Sequence, residues 1–300
     1  MDSKKAPAWP VVWVFDRSYH ADSFRFRFRT TVPKAGEYLD RILAPFRNGA
    51  EGTNERVYSL VRTDRDLPYS LFEDDALIKE VVHPGSLIDR LLSEITAQAV
   101  ERTAHLAVHA GAASWKGRTV LLPAPPDSGK TTLTAALTQA GFDFLTDEAA
   151  LIDAHTSLVH PFPRPLILDE GSVDALPGLR ARLPVGRGDF SLQYRYHLTP
   201  EDLRPGALGG PSPIRWVLAP RYDSGRPTAL EPITSAEGLV LLARNSFNFP
   251  RLGSPALGVL ERVVRGAECF RLHIGDLEAA VRLVLDVAAG DSHGHAARVR

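Results

Sequence analysis

Among 300 residues the chain holds one cysteine, Cys269, so no intramolecular disulfide can form and the composition suits a reducing compartment. An excess of one charge is also missing. Its 35 Lys+Arg stand against 36 Asp+Glu, which argues against a general binder of nucleic acid or membrane surfaces. No apolar run approaches the length of a membrane span. Lys4 and Lys5 are followed by a stretch broken at Pro7 and Pro10, without the uninterrupted apolar segment of a secretory signal. These absences predict a cytoplasmic protein with neither a nucleic-acid nor a membrane partner. There are no internal repeats, and the 44% hydrophobic content suffices for one large or two modest domains.

What is present is patterned. Residues 1–80 read mostly as strand: Val11 to Phe15 is β-branched and aromatic, and Phe24 to Arg29 alternates with period two, phenylalanines inward and arginines outward. That arginine row reads as a solvated strand face rather than a site for an acidic partner. Residues 49–54 read as a loop. Residues 86–100 predict an amphipathic helix with Leu87, Leu91, Ile95 and Ala99 on one stripe after a Ser86 cap. Strands are expected at about 105–113, into residue 122, and at 142–145, with Gly141 just past a helix end. Further strands are expected at 166–168, 190–198, 214–218 and 268–274, and helices near 235–244 and 276–288. Residues 176–189, rich in Gly, Pro and Arg, read as a mobile loop. The tail from Gly290, with His293 and His295, reads as frayed.

The most informative stretch is 120–132, Val-Leu-Leu-Pro-Ala-Pro-Pro-Asp-Ser-Gly-Lys-Thr-Thr. Three apolar residues end a strand, and Gly129-Lys130-Thr131 opens a segment with Leu133 and Leu137 on one helical face. Strand, tight loop and Gly-Lys-Thr at a helix start make a phosphate-binding loop, or P-loop. Backbone N–H groups at a helix start lack intrahelical partners and face an anion. Asp127, Ser128, Gly129, Lys130, Thr131 and Thr132 would form the cradle, with Lys130 neutralising phosphates and the Thr131 hydroxyl on Mg²⁺. Two departures stand out: Ala124 occupies the usual glycine position, and Pro125 and Pro126 have no N–H to donate.

A nucleotide site needs an acid for Mg²⁺ and, for transfer to a hydroxyl, a base. Asp147 and Glu148 end the strand after the P-loop helix, where an open α/β sheet places its ligand crevice. Adjacent residues leaving a strand point to different sides, so one can face the metal and the other the acceptor. His109 precedes the loop among the small residues Ala110, Gly111 and Ala112.

His-Ala-Gly-Ala from 109, the Leu-Leu-Pro-Ala-Pro-Pro-Asp-Ser-Gly-Lys-Thr-Thr loop and Gly-Phe-Asp-Phe-Leu-Thr-Asp-Glu from 141 together resemble the HPr kinase/phosphorylase superfamily. The likeness is to its stand-alone members found with ribosomal peptide pathways, including lasso-peptide kinases. By element order it covers about 55–288, with specific motifs only over 105–153. It implies an α/β fold: a P-loop kinase core related to phosphoenolpyruvate carboxykinase, with a mixed sheet, plus a β-rich N-terminal portion. The resulting division is a β-rich region at 1–85, a catalytic domain at 86–289 and a tail at 290–300. The implied activity is transfer of the ATP γ-phosphate to a serine hydroxyl. Asp147 matches the family's first acid, as base or metal partner. Glu148 replaces the second acid on a longer arm, and His109 matches the histidine before the loop. Arginines that would steady the transferred group are Arg164 and Arg187 foremost, then Arg195 and Arg251. The expected cofactors are ATP and Mg²⁺, with Thr131, Asp147 and Glu148 on the metal. The acceptor is a peptide, a small protein or a small hydroxyl compound such as serine, and homo-oligomerisation is left open. A second reading, favoured by Ala124 and the prolines, is a nucleotide-binding regulatory or assembly protein with weak or no transfer.

Overall fold

The computed structural model describes residues 11–47, 52–64, 66–183 and 195–290. It is a mixed α/β protein with mixed sheets, and its contacts divide it into two compact units. The first comprises the chain up to Thr103 together with Arg164–Glu170 and Ala181–Thr199. The second comprises Ala104–Pro163, Gly171–Arg180 and everything from Pro200. The helix beginning near residue 86, grouped by sequence with the catalytic segment, therefore clusters with the N-terminal strands.

The chain begins with β1 (Phe15–Ala21), β2 (Phe24–Thr30), α1 (Pro33–Ile42), β3 (Arg56–Val61), β4 (Tyr69–Glu73), β5 (Ala76–Val81) and α2 (Gly85–Arg102). Next come β6 (Leu106–Trp115), β7 (Arg118–Pro123), α3 (Lys130–Gln139), β8 (Asp143–Thr146), β9 (Ala149–Ile152) and β10 (Leu158–His160). β11 (Leu166–Asp169), α4 (Glu170–Ala175), α5 (Leu179–Arg182), β12 (Arg195–Leu198) and α6 (Pro200–Leu203) follow. The chain continues through β13 (Ser212–Tyr222), β14 (Ala229–Pro232), α7 (Ser235–Arg244), α8 (Phe249–Leu252) and α9 (Ser254–Gly266) to β15 (Glu268–Ile274) and α10 (Leu277–Ala289).

In the first unit β1 to β5 form one sheet in sequence order, antiparallel except for the β2–β3 pair, which α1 connects. The period-two pattern of β2 is realised: Phe24, Phe26 and Phe28 are fully buried. Its arginines lie on the other face, where Arg27 pairs with Asp16 and Arg29 donates to Ser59 Oγ and covers the Trp13 ring. Alternation suits a sheet with one face buried, so the arginine row serves the sheet itself. The stripe Leu87, Leu91, Ile95 and Ala99 of α2 is buried as expected, but Pro84 is the N-cap and no side chain caps the helix. Ser86 is the second residue of the helix, already past the capping position.

Three other expectations are corrected. Val11 to Val14 are not strand; β1 starts at Phe15, and Val12 and Val14 are exposed. Residues 33–42, inside the stretch read as strand, form α1, with Pro33 at its first turn and Ala35, Leu39 and Ile42 buried at helical spacing. Within the expected loop at 176–189, Leu179–Arg182 is a short helix. Residues 184–189 of that loop, the start of the strand expected at 190, and the tail beyond Gly290 lie outside the described residues.

The second unit is a sheet in the order β10-β9-β6-β7-β13-β15-β14, with β8 also pairing β6. β13 runs parallel to both β7 and β15. α3 and α10 cover one face, where Leu133 and Leu137 meet Val120, Leu122, Ala280 and Val284. α7 and α9 cover the other, where Leu242, Val259 and Leu260 meet Val108, Leu121 and Val217. Central strands covered on both faces read as continuous apolar runs, as Val120-Leu121-Leu122 does.

Candidate functional site

β7 ends at Pro123, and the chain turns through 124–129 into α3, whose first residue is Lys130. The turn needs two left-handed residues, Asp127 at φ 58° and Gly129 at φ 86°. Aspartate tolerates that region and glycine enters it freely. Ala124 is buried at the end of β7, while Pro125 and Pro126 lie outside on the exposed limb. The alanine therefore fills the strand end, and the prolines stand on the exposed part of the loop.

No side chain caps the start of α3. By contrast, Thr234 and Glu237 close a capping box on α7, and the Asp276 carboxylate accepts from Ala279 N on α10. The free N–H groups of α3 therefore open toward the loop, carrying the positive end of the helix dipole. Beside them the Ser128 Oγ is buried without a hydrogen-bond partner. Leaving a buried hydroxyl unsatisfied costs about 1–3 kcal/mol, which an acceptor oxygen placed there would recover. Lys130, only 5% exposed, lays its Nζ across the loop onto Pro125 O at 3.0 Å. Burial lowers its pKa, while Glu148, Asp147 and Asp127 pull the other way and help hold the charge.

The acids reach the lysine through sheet register. β6 is antiparallel to β7, with Ala110 opposite Pro123. Along the other edge of β6 run β8 and then β9, with Thr146 opposite Ala112 and Ala149 opposite His109. Asp147 and Glu148 form the break between those two strands, and Glu148 O accepts from Ala110 N at 3.1 Å. The corner thus sits level with the end of β7. Asp147 is almost wholly buried, Glu148 is half-buried, and His109 Nε2 lies 3.6 Å from Glu148 Oε1 against the Phe247 ring.

Lys130, Asp127, Asp147, Glu148 and His109 are therefore brought together within one unit. Thr131 is half-buried on the first turn of α3, while the Thr132 hydroxyl is engaged by Ser172 Oγ at 2.8 Å. The arginines behave differently. Arg164 is buried and clusters with the first unit. Arg187 lies outside the described residues. Arg195 forms an ion pair with Asp89 at 2.9 Å within the first unit, and Arg251 is exposed on α8.

One neighbour of the loop escaped the sequence reading. Tyr222, the last residue of β13, places its Cβ 3.5 Å from where a Cβ on Gly129 would stand, and its side chain is 59% exposed. An exposed aromatic closing the strand parallel to β7 is a signal, but it depends on knowing that β13 neighbours β7. Among the described residues no helix is long and apolar enough to cross a membrane. Compared with models of known protein families the chain matches none, and no similar protein is found among curated sequences.

Proposed function

We propose that the second unit is an ATP- and Mg²⁺-dependent phosphotransferase that delivers the γ-phosphate to a hydroxyl, a serine of a peptide or small protein. The observation carrying this reading is the convergence of Lys130, on an uncapped helix start, with the Asp147-Glu148 corner. Cation, anion-binding N–H groups and two carboxylates are the parts phosphoryl transfer requires.

The donor set fits the cofactors. The orphan Ser128 hydroxyl and the α3 N–H groups suit phosphate oxygens, and hard carboxylate and hydroxyl oxygens suit Mg²⁺. Thr131 and Glu148 would hold the ion, which when bound offsets the charge of the phosphates. Lys130 exchanges its bond to Pro125 O for the phosphates. Asp147 accepts the proton of the attacking hydroxyl as its oxygen bonds to the γ-phosphorus and the bond to the β-phosphate bridging oxygen breaks, releasing ADP. His109, 3.6 Å from Glu148, orients that carboxylate. The Tyr222 ring offers an apolar face for the base.

Labelled ATP and Mg²⁺ offered with candidate peptides and with free serine test the reading, using Lys130→Ala and Asp147→Asn. Transfer to a peptide that falls at least about a hundredfold in both variants supports it. Tight nucleotide binding without transfer to any acceptor, unchanged by Asp147→Asn, would overturn it in favour of a regulatory nucleotide-binding protein. Transfer confined to free serine would make the acceptor a metabolite.

A further inference from the structure

On the same sheet, away from the P-loop, three ligand-type side chains converge. The β6–β9 register places Leu106 opposite Ile152, so His105 stands opposite Asp153, one step beyond each strand. The β9–β10 register places His160 opposite Leu151, two residues from Asp153. Period-two alternation then puts His105, Asp153 and His160 on one face. The side chains confirm the geometry. His105 Nδ1 is 3.5 Å from Asp153 Oδ2, and the two imidazoles stack with centroids 4.6 Å apart and planes 19° apart. One ligand atom from each residue lies within 4.8 Å of the others.

The backbone under Asp153 and His105 is pinned. Asp153 Oδ1 is used by its own turn, accepting from His155 N at 3.0 Å, Thr156 N at 2.7 Å and Thr156 Oγ1 at 2.8 Å. Those bonds occupy Oδ1, while Oδ2 is turned to His105. Asn248 clasps the start of β6, donating to His105 O and accepting from Ala107 N.

We infer that His105, Asp153 and His160 bind one first-row divalent transition metal of the zinc type. Two imidazoles and a carboxylate suit zinc-like ions rather than Mg²⁺ or Ca²⁺, which prefer all-oxygen shells. Around a tetrahedral zinc with bonds near 2.0–2.1 Å, ligand atoms stand roughly 3.4 Å apart. The His105–Asp153 separation meets this already, and a side-chain rotation of His160 completes it. Three protein ligands leave a fourth position for water or an exchangeable ligand. The ion would clamp the three-residue β10 to β9 and β6. His105 is four residues along β6 from His109, roughly 13 Å, so the site is separate from the Lys130 cluster and independent of the phosphotransferase reading.

The test loads the full-length protein with Zn²⁺, removes free metal by desalting and counts bound zinc, in parallel with Co²⁺ absorption spectra. His105→Gln, His160→Gln and Asp153→Asn are compared with a His293→Gln/His295→Gln control that removes the tail histidines. Expected are one equivalent of zinc in the parent and the tail control, a loss of affinity of about tenfold or more in each triad variant, and strong low-symmetry cobalt bands in the parent. The cobalt spectrum needs no variant, so it stays decisive if a substitution impairs folding. Weak octahedral cobalt bands, zinc retention unchanged by the triad substitutions, or zinc lost only with the tail histidines would each overturn the assignment.

Discussion

A Cβ on Gly111 would stand 2.3 Å from Thr134 Oγ1, the hydroxyl that donates to Lys130 O at 2.8 Å. Gly111 is therefore what lets the first turns of α3 rest on β6, and its role is local crowding rather than an unusual φ. Gly111→Ala is expected to cost about 1–3 kcal/mol of stability and to move the start of α3 off the Asp147-Glu148 corner. Nucleotide affinity, measured by calorimetry with Mg²⁺ and a non-hydrolysable ATP analogue, should fall about tenfold or more, and Thr134→Ala in the same chain should restore most of it. Failure of that rescue would show that the close contact is not what positions α3. At Tyr222 the expectation concerns the base. Tyr222→Ala should raise the KM for ATP by an amount equivalent to about 1–3 kcal/mol, with little change in kcat, while Tyr222→Phe keeps the stacking face. An unchanged KM in the alanine variant would remove the ring from the site.

At the scale of elements, β12 is held to α2 by a small polar network. His197, its ring fully buried, faces Asp89 Oδ1 through Nε2 at 2.8 Å and the Tyr38 hydroxyl through Nδ1 at 2.7 Å, and Arg195 pairs with Asp89 Oδ2. An ionised Asp89 can only accept, so His197 Nε2 donates to it, while Nδ1 and the Tyr38 hydroxyl share the second bond. Burial pushes the Asp89 pKa up, but the His197 hydrogen bond and the Arg195 guanidinium outweigh it and hold the carboxyl below its usual range. A depressed carboxyl pKa stabilises the fold above the unfolded value near 4, and this contribution is lost as pH falls through the lower folded value. Asp89→Asn should therefore lower stability by roughly 1.5–3 kcal/mol at neutral pH, with the gap to the parent closing below about pH 4. Thermal melts across that range check it, and a gap independent of pH would sink the ionic account.

Elements whose signals are local were legible in the sequence. α3 followed from Gly129-Lys130-Thr131 and the 133/137 spacing, and α7 and α10 lie within a residue or two of the helices expected at 235–244 and 276–288. α1, inside the stretch read as strand, contains a glycine, Gly36, which has low helix propensity. In the structure it packs so closely that a Cβ there would meet Phe15 Cβ at 2.5 Å. α9 carries Gly258, Val259, Val263 and Val264, which dilute a helical reading although its apolar face is buried. The same division holds for the sites. Lys130 with Asp147 and Glu148 could be read from short motifs. Tyr222 and the His105–Asp153–His160 group arise from strand neighbours and register, which no local pattern encodes.

For the whole molecule, the chain passes between its two units several times, so neither is a simple prefix. A cut at 85/86 would separate α2 from the sheet that its Leu87, Leu91 and Ile95 help to bury. A cut after Thr103 fares no better, because the β11–β12 pair belongs to the first unit although it lies far along the chain. Leu166, Leu168 and Leu198 are at most 1% exposed there, and His197 and Arg195 depend on Asp89 and Tyr38. Exposing three buried leucines forfeits about 1.5–3 kcal/mol each, together a large share of the roughly 5–15 kcal/mol that stabilises a typical domain. A fragment of residues 104–300 is therefore expected to aggregate or to bind hydrophobic dyes without a cooperative melt. Replacing Leu166, Leu168 and Leu198 by threonine in that fragment should restore a monomer, since the β11–β12 strand pair then presents a polar face and threonine keeps its strand propensity. Size-exclusion chromatography and calorimetry on the two fragments decide the matter. If the unmodified fragment is monomeric and melts as the second unit does in the full chain, the β11–β12 pair is not what binds the two halves of the sequence into one folding problem.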